Sequence, residues 1–297
     1  MSDNPVDHSI AKEKAAAVLA TVADEAGSSK PDAILNVQNV SRSFGGLKAV
    51  DVKELHVQRG IITAFIGPNG AGKTTFFNLL TGFDEPDTGT WQFDGSELAK
   101  KPSHSIAQMG MVRTFQLTKS LGKMSVMDNM LLGAPNQQGE KLSFSLLRGL
   151  WRKQESEVRA KADDLLERFN MTHMADEYAA TLSGGQRKLL EMARALMADP
   201  ALILLDEPMA GVNPALVQSL LGHVESLRDD GVSVLFVEHD MDVIMGISDW
   251  IVVLAEGSVI AEGTPAQVSK NPKVIDAYLG TEDGMAASDG RHGEDAQ

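Results

Sequence analysis

Eight residues, Gly67-Pro68-Asn69-Gly70-Ala71-Gly72-Lys73-Thr74, constrain this chain more than any others. They fit the pattern G-x-x-x-x-G-K-[ST], between an apolar run that predicts a strand over Ile61–Ile66 and a helix-like segment, Thr74–Leu80. Glycines at such a junction let successive backbone N–H groups turn inward and wrap phosphate oxygens. Lys73 adds a positive charge for the outer phosphates, and the Thr74 hydroxyl can hold Mg²⁺. The start of the helix contributes a partial positive charge at the same point. The loop by itself leaves kinases, GTPases and transport or motor ATPases open. The base-reading pattern Asn-Lys-x-Asp is missing, since none of the ten asparagines is followed by lysine, and this argues against a guanine nucleotide.

Strand-like and helix-like segments alternate along the body. Strands are expected at Ile34–Val40, Ala49–Val57, Ile61–Ile66, Thr90–Phe93, Leu202–Leu205, Val232–Val237, Ile251–Leu254 and Val259–Ala261. A helix over Pro214–Leu227 puts Leu216, Val217, Leu220, Leu221, Val224 and Leu227 on one face, with Asn213 as N-cap and Pro214 at the first helical position. Strand followed by helix, repeated, argues for an α/β fold whose parallel sheet is covered on both faces. The stretch from about Ser103 to Phe169 is expected to be mainly helical and to form a separate lobe. Residues 1–33 are expected as a disordered or linker tail, with a weak helix conceivable from about Ile10 to Ala23. Residues 281–297 are expected as a disordered acidic tail.

Charge and cysteine usage narrow the classes further. The 297 residues hold 41 acids against 27 Lys and Arg and no cysteine. Disulfides, thiol nucleophiles and thiolate metal sites are therefore excluded. A net charge of −14 discourages non-specific binding to nucleic acid or anionic lipid. No apolar run approaches the ~18 residues of a spanning helix, so any work at a membrane is expected to be done from outside it.

Two further motifs accompany the loop. Leu202-Ile203-Leu204-Leu205-Asp206-Glu207-Pro208 is a buried-type strand ending in two acids. Asp206 at its tip can reach Mg²⁺ beside the loop, and Glu207 can act on an attacking water as base or orienter. Leu182-Ser183-Gly184-Gly185-Gln186 opens a helix whose apolar face is Leu189, Met192, Ala193, Leu196 and Met197. Ser183 is its N-cap, and the two glycines leave the helix end bare for close approach of an anion.

That pentapeptide, 23 residues before Asp206, resembles the signature of ATP-binding-cassette (ABC) ATPases, and the resemblance covers residues 34–280. It implies a RecA-like parallel-sheet core, an antiparallel β subdomain and a helical lobe over about 103–182. It also implies ATP and Mg²⁺ as cofactors. Phe44 is similar to the aromatic that stacks on adenine, with Val50 beside it. Gly67, Pro68, Asn69, Gly70, Ala71, Gly72, Lys73, Thr74 and Thr75 would hold the phosphates. Gln116, after Arg113-Thr114-Phe115, resembles the glutamine at the lobe junction and would join Thr74 and Asp206 around Mg²⁺. Glu207 would polarise the water, and His239 resembles the switch histidine that steadies the γ-phosphate. Ser183, Gly184, Gly185 and Gln186 would face ATP bound to a second cassette.

Smaller motifs resemble the ATP-binding subunits of branched-chain amino-acid importers: Phe44-Gly-Gly-Leu-Lys-Ala-Val50, Ala210-Gly-Val-Asn-Pro214 and the ending Val259–Gly280. In that subgroup, residues from about 256 to 280 form a C-terminal extension packed on the cassette. The partners implied are transmembrane permease subunits, a sister cassette in a heterodimer rather than a homodimer, and indirectly an external solute-binding protein, with no nucleic acid. The location implied is the inner face of the cell membrane. Urea or amide import and lipid export share several of these motifs, and a soluble non-transport ATPase is the rival from another class. One departure is Asn213, where most cassettes carry aspartate. Another is a long Ala134–Glu155 segment, whose Phe144, Leu147, Leu150 and Trp151 could form an apolar stripe beside Arg148, Arg152 and Lys153.

Overall fold

The strand β3 (Ile62–Ile66) is buried at every position and sits third in a six-stranded sheet. Its neighbours are β8 (Ser233–Val237) and β9 (Trp250–Ala255), both parallel to it. Beyond β8 come β7 (Leu202–Asp206) and then β6 (Met111–Arg113), also parallel, while β10 (Ser258–Gly263) closes the other edge antiparallel to β9. The computed structural model describes residues 9–114, 121–135 and 148–278. Strands covered on both faces read as unbroken apolar runs, and β3, β7, β8 and β9 do so.

Alternate residues of these strands feed two cores. Ile62, Ala64, Ile66, Ile203, Leu205, Val234 and Phe236 pack on one face with α6 (Gly184–Leu196), α7 (Pro214–Asp229) and α8 (Met241–Ile247). Phe65, Leu202, Leu204, Leu235 and Val237 pack on the other with Phe76, Phe77, Leu79 and Leu80 of α2 (Lys73–Leu80). That second core is shared with an antiparallel sheet ordered β2-β1-β4-β5, built from β1 (Ala33–Phe44), β2 (Leu47–Gln58), β4 (Thr88–Phe93) and β5 (Ser96–Glu97).

The N-terminal segment carries the helix conceived from about Ile10 to Ala23, and it packs on the body where a disordered or linker tail is expected. In its described part, α1 (Ser9–Leu19) and the following turn bury Ala15, Leu19 and Val22 against the second core. Lys30 Nζ reaches Glu262 Oε2 at 2.7 Å with both side chains fully buried, and sits 4.5 Å from the Trp250 ring centroid. Trp250 Nε1 donates to the same carboxylate oxygen, and the Ser28 N–H donates to its other oxygen. A polar, glycine-containing stretch is thus anchored by one buried ion pair, which composition does not reveal. The stretch read as helical from Ser103 also contains β6, which pairs with β7 in the main sheet. The rest carries α3 (Ser103–Gln108), α4 (Val126–Leu132) and α5 (Arg148–Arg168). Gln116, residues 136–147, the side chains of residues 148–153 and the tail 281–297 lie outside the described residues.

Candidate functional site

Three loops leave the C-terminal ends of three adjacent strands. Residues 67–72 follow β3, Glu238 and His239 follow β8, and Asp206 ends β7 with Glu207 next in the chain. Ligands of open α/β sheets bind at this edge. Gly72 caps α2 with a φ of 96°, and a Cβ there would overlap the carbonyl oxygen of Ala49 on β2. Only glycine lets the loop approach that closely. The same approach brings the β1–β2 hairpin, with Phe44 at its turn, beside the phosphate loop. Phe44 is half exposed, and the Arg42 guanidinium lies 4.9 Å from its ring centroid. Val50, read as a second adenine contact, is fully buried in the core.

Lys73 is buried and donates to the carbonyls of Gly67 (2.6 Å) and Pro68 (3.0 Å). Burial lowers its pKa, opposed by the charge of Glu207. Thr74, Asp206 and Glu207 line one cavity of about 300 Å³ with Arg113, Thr114, Lys188, Glu191 and Ala210. Arg113 donates to Asp206 Oδ2 at 2.6 Å and to Asn78 Oδ1 at 2.6 Å, fixing the carboxylate at the strand tip. The sequence reading named Arg113 only as a flank of Gln116. The hydroxyl of Thr74 and the carboxylate of Asp206 are hard oxygen donors in one cavity, a set that suits Mg²⁺ completed by phosphate and water.

Glu207 adopts a φ of +48°, uncommon for a residue with a side chain. Its N–H donates to Val237 O at 3.0 Å, its carbonyl accepts from Lys188 Nζ at 3.3 Å, and its Oε1 accepts from His239 Nε2 at 2.7 Å. Glu238 was missed by sequence reasoning, although it precedes the histidine. It is buried, and its two oxygens accept from Met209 N (2.7 Å) and His239 N (3.2 Å). Burial pushes the Glu238 carboxyl up, opposed by those two donors. At the far end of the chain, the Tyr278 hydroxyl oxygen accepts from the Gly67 N–H, and burial raises its pKa.

The signature segment stands apart. Ser183 caps α6 in a reciprocal capping box with Gln186, accepting at 3.3 Å and donating its N–H to Gln186 Oε1 at 2.8 Å. Ser183 and Gly184 are exposed, whereas Gly185 is buried where a Cβ would overlap Leu216 on α7. Among the described residues no hydrogen bond joins Ser183–Gln186 to the phosphate loop. Asn213 caps α7 by accepting from the Ala215 N–H at 2.9 Å.

A phosphate loop, a strand-end acid pair and a bare capped helix on this sheet define a P-loop nucleotide hydrolase. A family profile described as ABC transporter matches residues 50–210, and one described as branched-chain amino acid ATP-binding cassette transporter matches residues 258–284. A probable branched-chain amino acid transport ATP-binding protein LivG of Archaeoglobus fulgidus is 47% identical over 250 residues, 84% of this chain and 96% of its own. The high-affinity branched-chain amino acid transport ATP-binding protein BraF of Pseudomonas aeruginosa is 43% identical, over 83% of this chain and 98% of its own. Among solved structures, an ATP-binding cassette of an ABC transporter in its ADP conformation is 38% identical with a TM-score of 0.73, covering 84% of this chain and 99% of that one. The chain belongs to the ABC transporter family and is an ATPase that couples hydrolysis to transport.

Proposed function

We propose that this chain is the ATP-hydrolysing subunit of a branched-chain amino-acid importer. The observation that carries the chemistry is the convergence of Lys73, Thr74, Asp206, Glu207 and His239 at one sheet edge. The substrate class follows the names of the relatives. Phe44 stacks on adenine, and the Gly67–Thr75 loop holds the phosphates, with Lys73 exchanging its carbonyl partners for phosphate oxygens. Thr74, Asp206 and Gln116 would hold Mg²⁺, which would neutralise phosphate charge. Glu207 orients the attacking water and takes its proton on a carboxylate oxygen. His239, now bonded to Glu207, turns toward the γ-phosphate and leaves that oxygen free.

The cassette, about 34–280, works as a heterodimer with a sister ATPase at the inner face of the membrane, and an external solute-binding protein acts through the permease. Ser183–Gln186 closes the site built on the sister's phosphate loop. The permease contact fits a cavity of about 430 Å³ lined by α3, β6, α4 and α6 and rimmed by the exposed apolar Phe83 and Leu132. Arg113, Thr114 and Glu191 line both that groove and the cavity of Thr74 and Asp206, so permease position can reach the Mg²⁺ site. The test is reconstitution with the permease subunits that co-purify from detergent-solubilised membranes. ATP-dependent uptake of leucine, isoleucine or valine supports the proposal; uptake of urea or lipid flipping in their place contradicts it.

A further inference from the structure

Glu238 carries an arrangement that the roles given to its neighbours do not explain. Its carboxyl is only 6% exposed, and among the described residues no lysine or arginine pairs with it. Burying an acid without a cation is costly unless hydrogen bonds satisfy it. Here both oxygens are used, one by the Met209 N–H and the other by the His239 N–H. Glutamine would fit the space with one acceptor fewer and would turn an NH₂ toward an N–H. The site therefore demands a carboxylate because two separate pieces of backbone each need an acceptor.

Those two pieces belong to different loops. Met209 lies two residues beyond Glu207 and starts the turn leading through Ala210 and Gly211 to the Asn213 cap of α7. His239 follows β8 and bonds Glu207 Oε1. A non-glycine residue at positive φ persists only where its surroundings over-determine it. Glu207 is fixed on one side by its own N–H to Val237 and on the other by Glu238 holding Met209.

We propose that Glu238 is a positioning residue: it clamps the 208–213 turn to His239, so that the water-orienting Glu207, the histidine and the turn move as one body. A pull on His239 by the γ-phosphate then shifts the turn, and displacement of the turn moves His239. The proposal rests on the roles assigned above to Glu207 and His239, and it deepens them by linking the two.

The experiment compares Glu238→Gln and Glu207→Gln in the complex with the sister cassette and permease. Three readouts are used: ATP binding, turnover and backbone amide exchange over residues 207–213 and 239. For Glu238→Gln we expect ATP affinity within about twofold of wild type, kcat lower by about 10- to 100-fold, and faster exchange at both segments together, the size expected for losing a hydrogen bond to a charged group. Wild-type kcat, or exchange that rises at only one segment, overturns the clamp. Equal losses of ATP affinity and kcat with unaltered exchange also overturn it, because they mark a general structural defect. Near-normal turnover in Glu207→Gln is a different failure: it removes the underlying site assignment whatever Glu238 does.

Discussion

Glu207 is held in a left-handed backbone conformation with its N–H on Val237, and its Oε1 accepts from His239 until that histidine turns to the γ-phosphate in the proposed mechanism. Glu207→Gln keeps size and hydrogen-bonding reach but removes the base. ATP binding should be retained while hydrolysis falls by roughly 10²-fold or more, and ATP-bound dimers should live longer. Turnover close to wild type would remove Glu207 from the mechanism. Lys73→Ala should lose nucleotide binding along with activity, because the charge facing the phosphates disappears; equilibrium binding of a fluorescent ATP analogue separates the two variants. At the hairpin turn, aromatic stacking is worth about 0.5–1.5 kcal/mol beyond buried area. Phe44→Ala should raise the ATP concentration for half-saturation several-fold, and Phe44→Tyr should change it little; large, equal losses in both would mark Phe44 as structural. A dense local pattern names these residues in the sequence. Glu238 has no such pattern, since its paired N–H donors are a tertiary fact, as is the burial of Val50.

Among the elements, the buried parallel strands stood out in the sequence because each is an unbroken apolar run. β5, with two residues, and β6, with three, are too short to show a period. β6 exists because Met111–Arg113 finds the open edge of β7, not because its residues favour a strand. The linker stretch after α1 reads differently for another reason. Its Gly27-Ser28-Ser29-Lys30-Pro31 stretch has linker composition, yet Lys30 closes a buried ion pair with Glu262 on β10. Breaking a buried pair from one side strands a charge and typically costs about 3–5 kcal/mol. Lys30→Ala should therefore lower stability by roughly that amount in denaturant unfolding, while leaving half-saturation by ATP unchanged, because the pair is far in sequence and contact from the phosphate loop. Unfolding within about 0.5 kcal/mol of wild type would show that the N-terminal segment is only loosely attached.

At the scale of the whole molecule, the proposed heterodimer gives one chain two halves of different sites. The phosphate loop, Asp206, Glu207 and His239 meet at one sheet edge, and Ser183 and Gly184 stay exposed at a helix end, with no hydrogen bond to that loop among the described residues. The isolated chain should therefore hydrolyse ATP slowly, with activity rising more steeply than linearly with protein concentration and rising further with the sister cassette and permease. The most direct test of this account is nucleotide trapping in the assembled heterodimer with Ser183→Arg in this chain, assigned to each phosphate loop by crosslinking. A bulky cation at the helix end should abolish trapping at the sister's loop and leave binding at Lys73 nearly intact. Loss of trapping at this chain's own loop alone, or full specific activity in a strictly monomeric sample, would contradict the shared site.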